Sequence, residues 1–124
     1  MSIDRRFLLW GLGYAVIGML LGIVMAASGN HGQHVAHAHV LLVGFVMSLL
    51  YGMIHRLWLV SPRQLLVRIQ FSLHQTGAVV MFTGLYLLYG HHADPDMLHP
   101  VLGLASLAVL SGMLMMIYLV IKAR

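Results

Sequence analysis

HGQHVAHAHVLLVGFVMSLLYGMIHRLW, residues 31–58, is the stretch whose reading decides the fold. Four of the chain's nine histidines lie in its first nine positions, and the rest is almost uninterrupted apolar sequence. From Val40 to Trp58 the run is long enough to cross a bilayer as a helix, which takes about 20 residues. A cluster of imidazoles leading into such a segment needs a physical reason. Imidazole titrates near neutral pH, ligates metals through either ring nitrogen, and donates or accepts hydrogen bonds. Ionisable groups near membrane depth are costly and point first to function.

The composition of the whole chain agrees with a lipid environment. Its 124 residues are 60% hydrophobic and 8% charged, whereas soluble domains carry about 25% charged residues. The formal net charge of +4 is therefore a topology signal and not a nucleic-acid footprint. Cysteine is absent, which excludes disulfides, thiolate metal sites, iron–sulfur clusters and thioether-linked heme. Any metal or heme must be held by histidine, methionine or oxygen.

Working outward, four apolar stretches appear, near Phe7–Ala27, Ala36–Leu59, Leu66–Tyr89 and Pro100–Ile121. The first resembles a secretion signal, with Arg5 and Arg6 ahead of it and Ala26-Ala27-Ser28 behind. Its apolar core exceeds the usual 7–15 residues, so it reads as a true span. Arg5, Arg6, Arg56, Arg63, Arg68, Lys122 and Arg124 all fall on one side of these spans. The positive-inside rule makes that side cytoplasmic. Both termini are then inside, and the loops bearing His31, His34, His91, His92, Asp94 and Asp96 face out. Short connectors predict an all-α, antiparallel four-helix bundle forming a single membrane domain over residues 1–124. Pro62 ends span 2, Asp94-Pro95 reads as a turn, and Pro100 is expected in the first turn of span 4. A faint repeat pairs each helix, histidine-bearing outer loop and second helix, too degenerate to establish duplication.

Small residues mark helix contacts in lipid. Span 1 carries Gly11 and the pair Gly18-x-x-x-Gly22, read as a packing seam. In span 2 the stripe His37, Leu41, Gly44, Ser48, Tyr51/Gly52, His55 follows helical spacing. Span 3 offers Gln70, His74, Gly77, Met81, Gly84, Leu88, His91, and span 4 offers His99, Gly103, Ser106, Leu110. His37 and His55 are 18 residues apart, about five turns or roughly 27 Å, and so are His74 and His92. Side by side, spans 2 and 3 would bring His55 and His74 together in the inner half and His37 and His92 at the outer rim. The spacing is wide for two stacked heme sites, and the more conservative expectation is one outer site using His37 or His39 with His99 or His92 nearby. Gly44, Gly52, Gly77 and Gly84 would open a slot for a porphyrin plate. His31, His34 and His91 read as loop residues in water, and His55 as an interfacial side chain. His74 is harder to explain as idle, because a buried imidazole requires a partner. His37 and His39 point to opposite sides of a helix, so only one can face a given ligand.

The run His37-Ala38-His39-Val40-Leu41-Leu42-Val43-Gly44-Phe45-Val46, then Tyr51-Gly52 and a basic residue before Pro62-Arg63, resembles small four-helix membrane proteins of the heme–copper oxidase superfamily. Phe71-Ser72-Leu73-His74-Gln75-x-Gly77 is similar to that family's third-helix motif, with Gln75 where asparagine is usual. The resemblance implies a b-type heme ligated by His37 or His39. It also implies redox partners such as a quinol or a respiratory complex, and residence in a bacterial inner membrane. With four spans where a full oxidase subunit has twelve, it further suggests a homo-oligomer, for which a trimer would supply twelve helices. No arrangement in one chain suffices for a heme–copper centre.

The expected function is therefore a heme b-binding membrane protein for electron transfer, a heme-dependent oxidoreductase if it is an enzyme. Cofactor ligands are sought among His37, His39 and His74, with Gly44 and Gly77 as the slot. A copper or zinc protein using His37, His39, His55, His74, His92 and His99 is the alternative, with methionines available to Cu(I). An accessory subunit of a respiratory complex is a third reading. The carboxylates Asp4, Asp94 and Asp96 all lie outside the expected spans, which excludes an intramembrane carboxylate chain, and no catalytic residue can be named.

Overall fold

Long apolar runs without an internal helix breaker fold as uninterrupted helices, and their ends follow local chemistry. The computed structural model describes residues 1–123. Helix α1 spans Ile3–Ser28 and closes on Gly29, which takes the left-handed conformation (φ 69°) that glycine adopts without strain. α2 covers His34–Leu57. α3 covers Gln64–Tyr89 and α4 covers Pro95–Lys122. All four are long and apolar enough to cross a membrane, and no strand occurs among the described residues. The chain is a multi-pass, all-helical membrane bundle.

α4 starts earlier than the sequence suggests. Asp94 Oδ1 accepts the Asp96 backbone N–H at 2.9 Å, and Pro95 takes the first helical position. An aspartate cap followed by proline is a strong start signal. Pro100 consequently lies inside the helix, not in its first turn, and His99 belongs to α4. The missing N–H of Pro100 leaves the Asp96 carbonyl without its helical partner.

α2 is not a uniform α-helix. It is α-helical over His34–His39, π-helical over Val40–Val46 and α-helical again over Met47–Leu57. The wider π turn changes the register of the buried stripe. Below Gly44 the expected residues are buried: Ser48, Tyr51, Gly52 and His55. Above it the inward positions are Val40 and Ala36 in place of Leu41 and His37. A step of four residues per turn replaces the alternation of three and four, as π geometry requires.

The bundle is assembled from two tight hairpins. α1 packs on α2 and α3 on α4, with glycines allowing close backbone approach. A methyl group at Gly52 would lie 3.0 Å from the Asp4 carbonyl oxygen, and one at Gly77 would lie 3.0 Å from that of Ala105. The hairpins meet instead through large side chains. Phe7 and Phe71 have ring centroids 4.8 Å apart, and Tyr14 and Phe82 5.2 Å apart. At the outer end Gln33 Nε2 donates to the Tyr86 carbonyl at 2.9 Å.

α3 buries two faces, because it contacts both α4 and the first hairpin. Gln70, His74, Gly77, Met81 and Gly84 are buried as expected, joined by Phe71, Gln75, Ala78 and Phe82. The expected stripe of α4 is on the wrong face. His99, Gly103, Ser106 and Leu110 are exposed, whereas Leu98, Ala105, Gly112, Met116 and Leu119 are buried. The buried set includes a seven-residue repeat, the geometry of a helix seam.

Up-down connectivity gathers Arg5, Arg6, Arg56, Arg63, Arg68 and Lys122 toward one end of the bundle. The histidine-bearing connectors lie at the other. Arg124 lies outside the described residues.

Candidate functional site

Two groups of histidines emerge, one at each end of the seam between helices. At the rim, His37 turns toward α1. Its Nδ1 lies 2.9 Å from the Gly18 carbonyl oxygen, and a methyl group at Gly22 would lie 3.1 Å from its Cε1. The Gly18-x-x-x-Gly22 pair is therefore a packing seam that also cradles an imidazole. A carbonyl can only accept, so Nδ1 carries a proton, and in the neutral ring Nε2 is then the nitrogen with the lone pair. His39 does the same on the other side of α2, with Nδ1 2.8 Å from the Val35 carbonyl oxygen. Fixing one ring nitrogen on a backbone carbonyl is how proteins orient a histidine that ligates through the other.

Deeper in the bundle, His55 of α2 and His74 of α3 sit on the same aromatic ring. The Phe7 centroid lies 5.5 Å from that of His55 at an 18° interplanar angle, and 6.5 Å from that of His74. Tyr51 meets His74 edge-on at 4.9 Å. His74 is fully buried and His55 nearly so. Both ring nitrogens of each are buried without a hydrogen-bond partner, as is Gln70 Oε1 nearby in the sequence of α3. Gln70 Nε2 donates a long bond of 3.4 Å to the Gly112 carbonyl. Buried polar atoms are paired in the great majority of cases, so this concentration is unusual.

Between the two groups runs a buried polar bridge across the hairpin seam. Tyr14 OH donates to Gln75 Oε1 at 2.8 Å, and Gln75 Nε2 donates to Ser48 Oγ at 3.1 Å. Tyr14, Gln75 and Ser48 link α1, α3 and α2. The sequence singled out Ser48 for its stripe, but Tyr14 hid in the aromatic content of α1. A tyrosine and a glutamine facing each other across an apolar core would have been the signal.

The sequence-predicted site residues are thus only partly brought together. His55 and His74 do share the inner half, as their spacing suggested. His37 and His74 do not meet. His37 packs at the level of Gly18, and His74 at that of Phe7, eleven residues of α1 away, or roughly 16 Å. His92 is exposed, its ring stacked on Tyr86 at 5.9 Å, and His99 is exposed on α4. Among the described residues no three of His, Asp or Glu gather in a metal-holding group. The glycines expected to open a porphyrin slot are filled by neighbours. A methyl group at Gly44 would lie 2.7 Å from Tyr14 Cγ and 3.0 Å from Phe82 Cε2, and Gly77 is closed by Ala105, Ala108 and Val109. Inside one bundle the residues around Gly44 and Gly77 therefore do not leave a porphyrin-sized gap. Each rim imidazole has its Nδ1 on a backbone carbonyl, which holds the ring in one orientation.

An apolar groove of about 490 Å³ opens toward the lipid on the rim side, lined in part by Tyr14, Val40, Phe82 and Tyr86. No family model matches the chain, and no curated protein or solved structure matches it either. The fold and site together define a four-span helical membrane protein with oriented histidines at one rim and a buried imidazole pair in its core.

Proposed function

We propose that this chain is a b-type heme-binding membrane protein that transfers electrons, with His37 and His39 supplying axial imidazoles. The observation that supports this reading is the engagement of both Nδ1 atoms by backbone carbonyls, at 2.9 and 2.8 Å, which orients each ring and would leave Nε2 to ligate. Heme, when bound, supplies one-electron chemistry at the iron. The chain's own part is to hold the ligand. Gly22 admits the His37 ring, the Gly18 carbonyl fixes its tautomer, and the π segment turns Leu41 and His37 toward α1.

Because His37 and His39 point to opposite sides of α2 and the interior slot is filled, an iron with two imidazoles would take them from two chains. This favours a homo-oligomer, with a trimer as one arrangement that yields twelve helices. The exposed face of α4 around Gly103, where an added methyl group would touch nothing, is compatible with such packing. The basic end would face the cytoplasm of a bacterial inner membrane, placing the rim histidines on the outer side. A quinol is a natural electron donor, since the apolar groove beside Tyr14 and Phe82 is open to the lipid.

Absorption spectroscopy of the purified protein tests the reading. A Soret band with sharp α bands on reduction is expected, lost in His37→Ala or His39→Ala and retained in His34→Ala. A colourless protein from heme-replete cells would overturn it. Stoichiometric copper or zinc in that colourless sample would establish the metal-binding alternative, for which the free Nε2 atoms are equally suited.

A further inference from the structure

The opposite end of the molecule carries a cleft of its own. α1 begins and α2 ends side by side there, brought together by Gly52 against the Asp4 carbonyl. Beyond that point the side chains diverge and leave a cleft of about 530 Å³. Arg5 and Arg56 stand at its rim with Asp4 as the one carboxylate, so the lining carries a net charge of plus one. Leu8 and Met53 form its wall and are 40% and 45% exposed. Both arginines are exposed and line the cleft, whereas the Arg6 guanidinium lies 4.5 Å over the Phe71 ring.

The cleft has the vertical order of a phospholipid. Leu8 follows Arg5 by three residues, and Met53 precedes Arg56 by three. On each helix the apolar residue is thus attached about 4.5 Å deeper along the axis than the arginine. A guanidinium presents a planar fork that matches a phosphate with paired hydrogen bonds. The leucine and methionine below it offer apolar surface at acyl-chain depth. The position is also right, since all the described basic residues lie toward this end and basic clusters there attract anionic headgroups.

We infer that the Arg5–Arg56 cleft binds one anionic phospholipid, its phosphate between the two guanidiniums and an acyl chain against Leu8 and Met53. Free phosphate would use the rim alone and leave the apolar wall without a role. This inference is independent of heme binding.

Native mass spectrometry of the full chain, released from mixed phosphatidylglycerol and phosphatidylcholine nanodiscs, tests it. One phosphatidylglycerol should remain bound per chain in preference to phosphatidylcholine. The double variant Arg5→Gln/Arg56→Gln should bind it about tenfold more weakly or worse. Arg63→Gln/Arg68→Gln, which removes the same charge from the same end, should retain it. Equal retention of the two lipids by the unaltered chain would overturn the proposal without any variant. So would equal losses in the two double variants, which would indicate diffuse surface charge. Displacement of the lipid by inorganic phosphate would identify a free-anion site instead and overturn it as well.

Discussion

Gly44 is tightly enclosed by Tyr14 and Phe82, and replacing it with alanine gives a direct test of the packing. The new methyl group would lie 2.7 Å from Tyr14 Cγ, 2.9 Å from Tyr14 Cβ and 3.0 Å from Phe82 Cε2. The first two atoms are close to the α1 backbone, so the tyrosine cannot swing away as a flexible side-chain end could. Either α1 and α2 separate or the Tyr14 ring moves. Overpacking of this kind costs about 1–3 kcal/mol. Moving Tyr14 also breaks its 2.8 Å bond to Gln75, a net loss of about 1 kcal/mol. Against this stands the higher helix propensity of alanine, at most about 1 kcal/mol. The balance is a destabilisation of about 1–3 kcal/mol for Gly44→Ala. Gly13 supplies the control: it is in the same hairpin, and a methyl group there meets nothing within 4 Å. Gly13→Ala should be neutral or slightly stabilising. Reversible unfolding in mixed micelles, followed by far-ultraviolet circular dichroism, measures both. Equal stabilities for the two variants would show that Tyr14 does not pack on Gly44 as described.

Two further outcomes follow from the same structure. The chain has no cysteine, so single cysteines at Ser61 and His91 can be labelled in intact cells; an impermeant maleimide should react at His91 and not at Ser61, and the reverse pattern would invert the proposed orientation. His74→Phe removes two buried, unpartnered nitrogens while keeping a planar ring against Phe7 and Tyr51, and it should leave stability unchanged or raise it by about 1–2 kcal/mol; a marked loss of stability would mean that those nitrogens are paired in the membrane.

The spans were legible in the sequence because length and hydropathy suffice for them, and α3 ends at Tyr89 as its apolar run does. The shared inner-half position of His55 and His74, both against Phe7, was legible too, from antiparallel connectivity and an 18-residue spacing. The orientation of His37 was not, because the stripe assumed 3.6 residues per turn through Val40–Val46, where the backbone is π-helical. Nothing in that run of valine, leucine, glycine and phenylalanine announces a wider turn. α4 was misjudged for a different reason. It is apolar on every side, so its few polar residues were taken as the inward face. In a lipid solvent a serine can instead bond to its own helix, as Ser106 Oγ does to the Leu102 carbonyl at 2.8 Å. The start of α4 was readable, since aspartate followed by proline caps a helix, but the pair was taken as a turn.

Where the polar atoms lie has a structural explanation that the individual residues do not provide. Within each hairpin glycines bring the backbones close, and the polar side chains that enter there, His37 and Gln70, reach backbone carbonyls of the partner helix. The hairpins meet mainly through side chains, and Ser48, His55, His74 and Gln75 are buried polar residues near that meeting. A membrane bundle gains nothing from hydrophobic burial when helices associate, so polar bonds are among the few forces that can hold such a seam together. Tyr14, Gln75 and Ser48 do this at mid-depth, with their bonds made. His55 and His74 do not, because neither ring has a partner. Polar residues serving only cohesion would be expected to pair like the first group. The seam therefore divides into a satisfied bridge, which holds the hairpins together, and an imidazole pair that adds no hydrogen bond to that cohesion.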